Sequence, residues 1–354
     1  MKKLRDITVL VTAAGAQFMP GLSHCLRNNG ERNVRLIGTG IGKDDSILQM
    51  VDEFYLVPDA GNPIYIDRLL EICYREKVDV LLPFMSSELE DLLKHRAEFE
   101  KNGTRVSVSD GDAVRIANNK LALYEFMTEN HLNPPKYCGV KNLEELKQAF
   151  EYIGYPHSAV CVKATESSGS RGIRIVDPRQ SRFDILFKEK PNSFLISYEE
   201  LIQILSENDS MPEMMAMEYL PGMEYSVDLL ADKGKILYMA GRESNVNLAS
   251  IPQVATLSKN EEAYRIAEEV ISKLMLDGNA DLDFKFDKDG HPVLMEINPR
   301  IAATMQIFYE GGLNLPYLRV KHLLGEKLPK VEIKYGVKMH RRYLEMFSIE
   351  PYRY

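Results

Sequence analysis

The 354-residue chain has a formal net charge of −8 and no basic tract, which argues against a nucleic-acid-binding protein, and its 45% hydrophobic and 27% charged content is ordinary for a soluble globular protein. No apolar run approaches the roughly 20 residues needed to cross a bilayer, the N-terminus has no signal-peptide core, and the four scattered cysteines indicate neither a disulfide framework nor a zinc site. We therefore expect a cytoplasmic protein of two or three domains with no membrane or nucleic-acid partner.

The first 110 residues alternate between strand and helix patterns. Short apolar runs predict buried strands, and stretches with helical spacing predict helices between them. The predicted strands cover 7–11, 34–38, 53–57, 78–83 and 104–108, and the predicted helices cover 20–29 and 64–76. Such alternation favours an open, mainly parallel sheet with helices on both faces. The first turn lacks the G-x-G-x-x-G fingerprint, so we interpret this region as a structural layer and not as an NAD site.

The rest of the chain is predicted to form two further regions and a short extension. Strands joined by hairpin-like turns after residue 213 indicate an antiparallel sheet. The predicted helices cover 112–130, 143–153, 198–207 and 261–275, and the predicted strands include 158–163 and 173–176. The polar stretch 177–212 is interpreted as a surface excursion, either a lid or an oligomer contact. The last 25 or so residues are too irregular to assign.

A predicted hairpin near the C-terminal end carries the strongest chemical signal. Pairing 280–286 with 292–300 around the Asp-Gly-containing turn puts Asp283 roughly opposite Glu296. Asn298 and Arg300 project to the same face, because strand side chains alternate. Mg²⁺ takes oxygen ligands from protein and phosphate together, so this face predicts a Mg-nucleotide site. The alternative is an exposed hairpin with a solvated acidic face.

A small-residue loop follows the strand predicted at 158–163. Its members are Ser167, Ser168, Gly169, Ser170, Arg171 and Gly172. Small residues let backbone N–H groups approach an anion closely, and hydroxyl groups add donors. The loop does not have the Walker A pattern, and a plain hairpin loop is the alternative. Lys163 favours the phosphate-binding interpretation, because it ends a run of β-favouring residues and is not on a loose surface.

A methionine-rich strand ends beside a Pro-Gly turn. The residues at its end are Glu218, Tyr219 and Leu220. Exposed backbone at this position offers hydrogen bonds to the edge of an adenine ring, and apolar side chains offer cover for its faces. Glu224, just past the turn, is placed to accept from ribose hydroxyl groups. The alternative is a plain hairpin, since methionine is more often core filler than a cofactor contact.

The order of these motifs resembles the ATP-grasp superfamily, and within it the carboxylate–amine ligases and proteins like the carbamoyl-phosphate synthase large subunit. The resemblance rests on Asn119-Lys120, Lys163 with its loop, the 218–224 segment, and Asp283 with Glu296-Ile297-Asn298-Pro299-Arg300. It implies a mixed α/β and α+β architecture, with a Rossmann-like pre-ATP-grasp domain followed by a two-lobed ATP-grasp fold. The implied domains are 1–110 (pre-ATP-grasp), 111–212 (N-lobe), 213–330 (C-lobe) and 331–354 (C-terminal extension).

The resemblance also implies a role for each motif. Lys120 and Lys163 are similar to the two lysines that bind nucleotide phosphates, and the 167–172 loop to the flap over the β- and γ-phosphates. Residues 218–220 are similar to the adenine-binding hinge, and Glu224 to the ribose carboxylate. The set Asp283, Glu296 and Asn298 is similar to the ligands of two Mg²⁺ (or Mn²⁺) ions. Arg300 is similar to the arginine that stabilises the transferred phosphoryl group.

The implied activity is that of an ATP- and Mg-dependent ligase. It would join a small carboxylate, such as an amino acid, to an amine through an acyl-phosphate, releasing ADP and phosphate. Arg171 and Arg242 are candidates for gripping the substrate carboxylate, with a surface salt bridge as the alternative for Arg242. The segment 301–306 departs from the family pattern, which leaves the substrate pocket undefined. The rival interpretations are an ATP-binding regulatory module without turnover and a split-gene component of a larger synthase. The resemblance also implies homodimerisation.

Overall fold

The computed structural model describes residues 3–42, 46–166, 172–190, 193–208, 210–248, 251–342, 345 and 347, with backbone alone for 245–248. The strands are β1 Ile7–Val11, β2 Val34–Gly40, β3 Glu53–Leu56, β4 Val80–Leu82, β5 Arg105–Val106, β6 Tyr137–Val140, β7 Val160–Ala164, β8 Arg174–Val176, β9 Met214–Glu218, β10 Glu224–Asp232, β11 Lys235–Leu248, β12 Ile251–Ser258, β13 Gly278–Phe286, β14 Pro292–Asn298 and β15 Lys338–His340. The helices are α1 Met19–Arg27, α2 Tyr65–Glu76, α3 Leu89–Lys101, α4 Ala113–Asn118, α5 Lys120–Glu129, α6 Leu143–Ile153, α7 Arg182–Lys188, α8 Tyr198–Ser206, α9 Glu261–Leu274, α10 Met305–Glu310 and α11 Leu315–Leu323.

The chain divides into two compact units. Unit 1 comprises Met1–Arg115, Tyr225–Leu282 and Ile297–Tyr354, and unit 2 comprises Ile116–Glu224 and Asp283–Glu296. None of the described helices is long and apolar enough to cross a membrane.

Unit 1 begins with a parallel sheet of strand order β3-β2-β1-β4-β5. Alternate residues of β1 face opposite sides, as the strand period requires. Val9 packs on one face with Leu22 of α1, and Leu10 packs on the other with Leu69 of α2. Both faces are therefore buried around β1, which is why this strand is apolar apart from Thr8. The predicted open parallel sheet with helices on both faces is confirmed.

A buried carboxylate joins the strand ends of this sheet. Glu88 accepts a hydrogen bond from the Thr12 hydroxyl (2.6 Å) and from the backbone N–H groups of Phe84 (3.0 Å) and Met85 (2.8 Å). The Tyr65 hydroxyl also donates to it. A buried carboxylate is costly unless its oxygens are paired, and here segments after β1, after β4 and at the start of α2 all pair with it.

The later part of the chain contains a six-stranded sheet of order β14-β13-β10-β11-β12-β15. Its β11–β12 and β12–β15 pairs are antiparallel, as predicted for this region. Strand β15 lies in the C-terminal segment that the sequence left unassigned. It adds to the edge of β12 through Val254, Ala255 and Thr256.

Unit 2 is built on an antiparallel sheet of order β6-β9-β7-β8. One face of this sheet forms the apolar core of the unit, where Val160, Val162 and Ala216 pack against Phe150 of α6 and Leu201 of α8. The opposite face is therefore the one that is available for polar groups.

The prediction of a single helix at 112–130 is wrong, because the helix is interrupted at one residue. Asn119 has extended backbone (φ −113°, ψ 114°), and it separates α4 from α5. Its side-chain oxygen accepts from the Ala122 N–H at 2.9 Å. Asparagine competes for backbone donors in this way and favours the cap position over the helix interior. The break places Lys120 in the first turn of α5.

Gly241 of β11 allows Tyr225 of β10 to pack. The Tyr225 hydroxyl donates to the Ser258 carbonyl (3.0 Å) and accepts from the Asn260 N–H (3.0 Å). A Cβ atom at position 241 would lie 1.8 Å from that hydroxyl oxygen. We expect Gly241→Ala to lower the free energy of unfolding by about 1–3 kcal/mol, because the ring must move and lose both hydrogen bonds. Urea denaturation measures this loss.

The control for that substitution is Gly42→Ala. A Cβ atom there meets no described atom within 4 Å, so we expect a change within about 0.5 kcal/mol. Equal effects of the two substitutions would contradict the packing argument.

Candidate active site

The start of α5 is fixed to the end of β7 by backbone contacts. The Lys120 N–H donates to the Thr165 carbonyl at 3.0 Å. The Asn119 side-chain amide donates to Glu166 Oε1 at 3.0 Å while its oxygen caps α5. The lysine that follows the cap is consequently held at a defined position in unit 2.

The Lys120 side chain pairs with Glu296 of β14. Its Nζ lies 3.4 Å from Glu296 Oε2, with the lysine side chain 7% exposed and the glutamate 35% exposed. A nearly buried ammonium group requires a counter-charge, and the half-exposed carboxylate supplies one while keeping access to solvent. The structure thus brings together two residues that sequence analysis had assigned separately to phosphate and metal.

Lys163 lies on the face of the unit 2 sheet that is opposite the apolar core. In the β7–β9 register Cys161 opposes Met217 and Lys163 opposes Met215, so these four side chains share one face. Lys163 is buried (5% exposed). Burial raises the pKa of the Cys161 thiol, while the positive charge of Lys163 and Lys285 acts in the opposite direction. Two lysines therefore lie within electrostatic reach of this sheet face.

Tyr124 covers the same face and was missed by sequence analysis. Its hydroxyl donates to the Met295 carbonyl at 3.3 Å. Burial raises the pKa of Tyr124 well above its ordinary value, and neighbouring acidic groups raise it further. Those groups are Cys161, Glu296 and Glu218. Tyr124 stays protonated at neutral pH and packs between the predicted hinge and the predicted metal ligand. The available signal was its spacing from Lys120, one helical turn away on the same face of α5.

The predicted phosphate loop is described only at its base. The Ala164 N–H donates to the Gly172 carbonyl at 3.2 Å. Gly172 has φ of +71°, and a Cβ atom there would approach Ala164 Cβ to 2.9 Å. Only glycine fits such a left-handed, close-packed position comfortably. The remaining predicted loop residues, 167–171, lie outside the described residues.

The predicted adenine hinge is tied to β6 and β7 through its backbone. Glu218 Oε1 accepts from the Lys136 N–H, and the Glu218 N–H donates to the Lys136 carbonyl, both at 2.9 Å. The Tyr219 N–H donates to the Ala159 carbonyl at 3.2 Å. Leu220 is buried, and burial raises the pKa of Tyr219. These contacts make the strand end rigid.

The segment after the hinge is locked to β13. The Gly222 N–H donates to the Phe286 carbonyl (2.9 Å), and the Phe286 N–H donates to the Met223 carbonyl (3.1 Å). A Cβ atom at Gly222 would lie 2.6 Å from Phe286 Cβ, so the turn needs glycine for this approach. Of the two predicted carboxylates in this part of unit 2, Glu224 is exposed and Asp283 is half-buried.

The last two predicted site residues belong to unit 1. Arg300 Nη2 donates to Asn298 Oδ1 at 3.1 Å, and its Nη1 donates to the Ile301 carbonyl at 3.1 Å. Two anchors fix the plane of the guanidinium, which is the pre-organisation that recognition of a phosphoryl or carboxyl group requires. Arg300 and Ile301 also line a small pocket in unit 1.

Comparison with known proteins gives two matching family models. The PylC-like N-terminal domain matches residues 9–107, and the family described as ATP-grasp in the biosynthetic pathway with Ter operon matches residues 210–343. The fold resembles N5-carboxyaminoimidazole synthetase from Staphylococcus aureus complexed with ADP (TM-score 0.68, 16% identity, 94% of this chain and 82% of that chain). It also resembles biotin carboxylase from Campylobacter jejuni (TM-score 0.68, 15% identity, 92% and 73%). Residues 210–343 are thus similar to an ATP-grasp family.

Curated relatives of this chain include carbamoyl phosphate synthase large chains. That of Buchnera aphidicola subsp. Acyrthosiphon pisum is 24% identical over 276 residues, which are 75% of this chain and 24% of that protein. That of Pseudothermotoga lettingae is 21% identical over 286 residues, which are 77% and 24%. The chain thus spans about a quarter of the length of these relatives.

Arg242 lies in the interior of unit 1 and not on its surface. It is 4% exposed. Its Nε lies 3.5 Å from Asp228 Oδ2, its Nη2 lies 3.6 Å from Asp281 Oδ1, and its Nη1 donates to Ser244 Oγ at 2.9 Å. Both aspartates are buried and lie on strands of the same sheet. We call Asp228, Arg242 and Asp281 the buried trio. Its guanidinium is already shared by two carboxylates, and a grip on a substrate carboxylate stays a prediction.

A second cluster with metal-ligand chemistry lies elsewhere in unit 1. Oxygen or nitrogen atoms of Asp232, Asp277 and His322 lie within 4.8 Å of one another. Arg319 donates to Asp277 at 2.8 Å, and its Nη1 lies 3.0 Å from His322 Nδ1. The guanidinium already supplies the positive charge, so we interpret the cluster as a structural ion pair.

The contacts within the buried trio lead to a prediction about the stability of the protein. We expect Arg242→Met to lower the free energy of unfolding by about 3–5 kcal/mol, because the substitution removes the cation that both buried carboxylates contact. Adding Asp281→Asn to that variant should restore part of the loss. Guanidinium denaturation of the single and double variants measures both effects.

The matched control is Arg265→Met on the exposed side of α9. Arg265 pairs with Glu269 at 2.8 Å while 60% exposed, so the same substitution should cost at most about 1 kcal/mol. If Arg242→Met costs no more than this control, the trio is not an energetically coupled unit.

Proposed function

We propose that the chain is an ATP- and Mg-dependent ligase that joins a small carboxylate to an amine through an acyl-phosphate. The products are an amide, ADP and phosphate. Structural neighbours named as synthetases, an L-amino acid ligase and biotin carboxylases support this class of chemistry. The observation that carries the proposal is the pairing of Lys120 with Glu296 in unit 2, whose sheet also carries the buried Lys163. A phosphate-binding cation and a metal-binding carboxylate are the two elements that a nucleotide triphosphate requires together.

The proposed donor set fits magnesium. Asp283 and Glu296 offer carboxylate oxygens, Asn298 offers an amide oxygen, and the three are half-buried. Oxygen-only ligands on few side chains are typical of Mg²⁺ held jointly with substrate phosphates. When bound, the ions neutralise charge on the β- and γ-phosphates, and Mn²⁺ would serve in the same way. Sulfur and imidazole ligands do not occur in this set.

In this proposal each remaining residue binds or orients a reactant. Lys120 and Lys163 neutralise phosphate charge, Arg300 stabilises the transferred phosphoryl group, and the loop 167–172 covers the nucleotide. The hinge residues Glu218, Tyr219 and Leu220 bind adenine, and Glu224 binds ribose. Because the phosphoryl transition state needs positioning and charge neutralisation more than covalent help, these groups suffice. Excluding water protects the acyl-phosphate from hydrolysis.

The proposed reaction has two steps, and in each step one bond forms while another breaks. A carboxylate oxygen attacks the γ-phosphorus, and the electron pair of the breaking P–O bond leaves with ADP. The amine nitrogen then attacks the acyl carbon, and the breaking C–O bond leaves its electron pair on phosphate. One proton from the nitrogen is carried away by that phosphate. We infer a small-molecule carboxylate and a small-molecule amine as the reactants.

Substrate-stimulated ADP release tests the proposal. Purified protein with Mg²⁺ and ATP is incubated with pooled amino acids, small carboxylates and amines. We expect one pool to raise ADP release in the parent protein. Glu296→Gln should abolish the stimulation, because the variant loses both the charge that pairs with Lys120 and a proposed metal ligand. Glu332→Gln, an exposed position in unit 1, is the matched control and should behave like the parent.

Other outcomes separate the rival functions. ATP binding without stimulation by any pool would favour a regulatory module or a component that works only with a partner chain. The chain spans about a quarter of the length of its curated relatives, and this favours a component that works with a partner chain as the specific alternative. Absence of ATP binding would reject the nucleotide site itself.

Nucleotide affinity gives an independent prediction. We expect Lys163→Met to weaken MgATP binding at least about tenfold, because a charge-assisted hydrogen bond to phosphate is lost from a buried position. Lys94→Met should leave the affinity unchanged, since the Lys94 side chain is exposed and pairs with Asp91 on α3 of unit 1. Isothermal titration calorimetry measures both dissociation constants. Equal affinities in the two variants would remove Lys163 from the site.

A further inference from the structure

Tyr124 lies where three segments of the candidate site meet, and the proposed function assigns it no role. Its side chain is completely buried, and it follows Lys120 by one turn of α5. The Tyr124 hydroxyl donates to the Met295 carbonyl at 3.3 Å, and its oxygen lies 3.8 Å from Met217 Sδ. Met217 immediately precedes the predicted hinge, and Met295 immediately precedes Glu296. One side chain thus connects the segments that the proposed function assigns to base, phosphate and metal.

The hydroxyl of Tyr124 is the part of this residue that packing does not explain. The ring meets the Tyr137 ring of β6 edge-on, with centroids 5.2 Å apart and planes at 75°. Phenylalanine would provide the same edge-on packing. A buried hydroxyl group is costly to desolvate unless it finds an acceptor, and the acceptor here is the Met295 carbonyl. Burial raises the pKa of Tyr124 well above its ordinary value, so the group keeps its proton and stays a donor.

The bond to the Met295 carbonyl constrains Glu296 directly. That carbonyl oxygen belongs to the peptide unit that joins Met295 to Glu296, and the unit is planar up to the Cα atom of Glu296. Holding the oxygen therefore holds the backbone from which the Glu296 side chain projects. The other member of the ion pair is attached to the same residue, because Lys120 lies four positions before Tyr124 on one face of α5. The 3.4 Å separation of Lys120 Nζ and Glu296 Oε2 thus depends on where Tyr124 lies.

We propose that the Tyr124 hydroxyl is a positioning group that sets the place of Glu296 relative to Lys120, so that the carboxylate ligates Mg²⁺ while the ammonium group binds phosphate. The inference rests on the proposed function and adds a positioning residue to it. Tyr124 acts through the Met295 carbonyl and needs no contact with metal or nucleotide. ATP without its metal gains nothing from Glu296. The hydroxyl therefore matters for the part of the ATP affinity that depends on Mg²⁺.

The Mg²⁺-dependent part of the affinity gives the first test. Isothermal titration calorimetry measures the dissociation constant of ATP with saturating Mg²⁺ and with EDTA, and the ratio of the two constants is the enhancement by Mg²⁺. We expect Tyr124→Phe to lower this enhancement about threefold or more, because a hydrogen bond that orders a metal ligand is lost. The affinity for ATP in EDTA should stay close to that of the parent. A general loss of packing would weaken both affinities alike and leave the ratio unchanged.

Tyr137→Phe is the matched control. It removes a hydroxyl group from the ring that packs against Tyr124, but that hydroxyl lies 3.0 Å from Thr128 Oγ1 of α5 and does not hold β14. We expect this variant to keep the enhancement of the parent. An unchanged enhancement in Tyr124→Phe, or an equal loss in both variants, would overturn the proposal.

A double-mutant cycle tests the same coupling without nucleotide. Urea denaturation gives the unfolding equilibrium constants of Tyr124→Phe, Glu296→Gln and the double variant. If the hydroxyl positions Glu296, the two effects should depart from additivity by about threefold or more in that constant. The cycle that combines Tyr137→Phe with Glu296→Gln should be additive.

The two measurements separate this inference from the proposed function. Where Mg²⁺ enhances ATP binding to the parent protein, the change of that enhancement in Tyr124→Phe decides. Where the parent protein does not bind ATP, or Mg²⁺ gives no enhancement, the metal–nucleotide site of the proposed function is rejected and the cycle alone decides. A non-additive cycle then keeps Tyr124 as the residue that positions Glu296, and an additive cycle overturns that role.

Discussion

Keeping a lysine charged in the interior of unit 2 is the constraint on which its candidate site depends. A desolvated ammonium group is unfavourable unless a counter-charge lies close by. Lys120 finds that charge in Glu296, at 3.4 Å. The pairing requires α5 to begin at one defined residue, and the Asn119 cap and the Lys120–Thr165 backbone bond meet that requirement. Tyr124 completes the arrangement by covering the face that carries Lys163. The position of the Lys120–Glu296 pair is thus set by local rules of helix capping and strand register.

The architecture was largely readable from the sequence, because it depends on the alternation of apolar residues. The parallel sheet of unit 1 is covered on both faces. Val9 faces one side and Leu10 faces the other, and both are therefore apolar. The helix break at Asn119 was not predicted, because apolar spacing continues through it while a single side-chain hydrogen bond decides the backbone. Helix propensity alone cannot predict such a break, since the free energy of the capping bond and that of continuing the helix differ by only about 1 kcal/mol.

The candidate site residues could also be predicted only in part. Lys120, Lys163 and Glu296 were predicted as site residues from motifs, and the structure adds the contact between Lys120 and Glu296. The buried trio could not be identified, because β10 lies between β13 and β11 in a sheet whose order departs from chain order. Asp228 and Asp281 are separated by more than 50 residues along the chain. Only the strand order reveals that both face Arg242, and thus that this arginine is buried.

The buried trio raises a question of energetics. Replacing a buried ionic group with apolar residues of similar volume is often neutral or stabilising, so ion pairing alone does not explain why a sheet interior contains one. The trio joins three strands, because Arg242 of β11 contacts Asp228 of β10 and Asp281 of β13. Apolar side chains of the same volume would pack in more than one strand register, whereas a guanidinium that must meet carboxylates on two other strands is satisfied in one. We infer that the trio contributes to the specificity of strand pairing in this sheet more than to its stability.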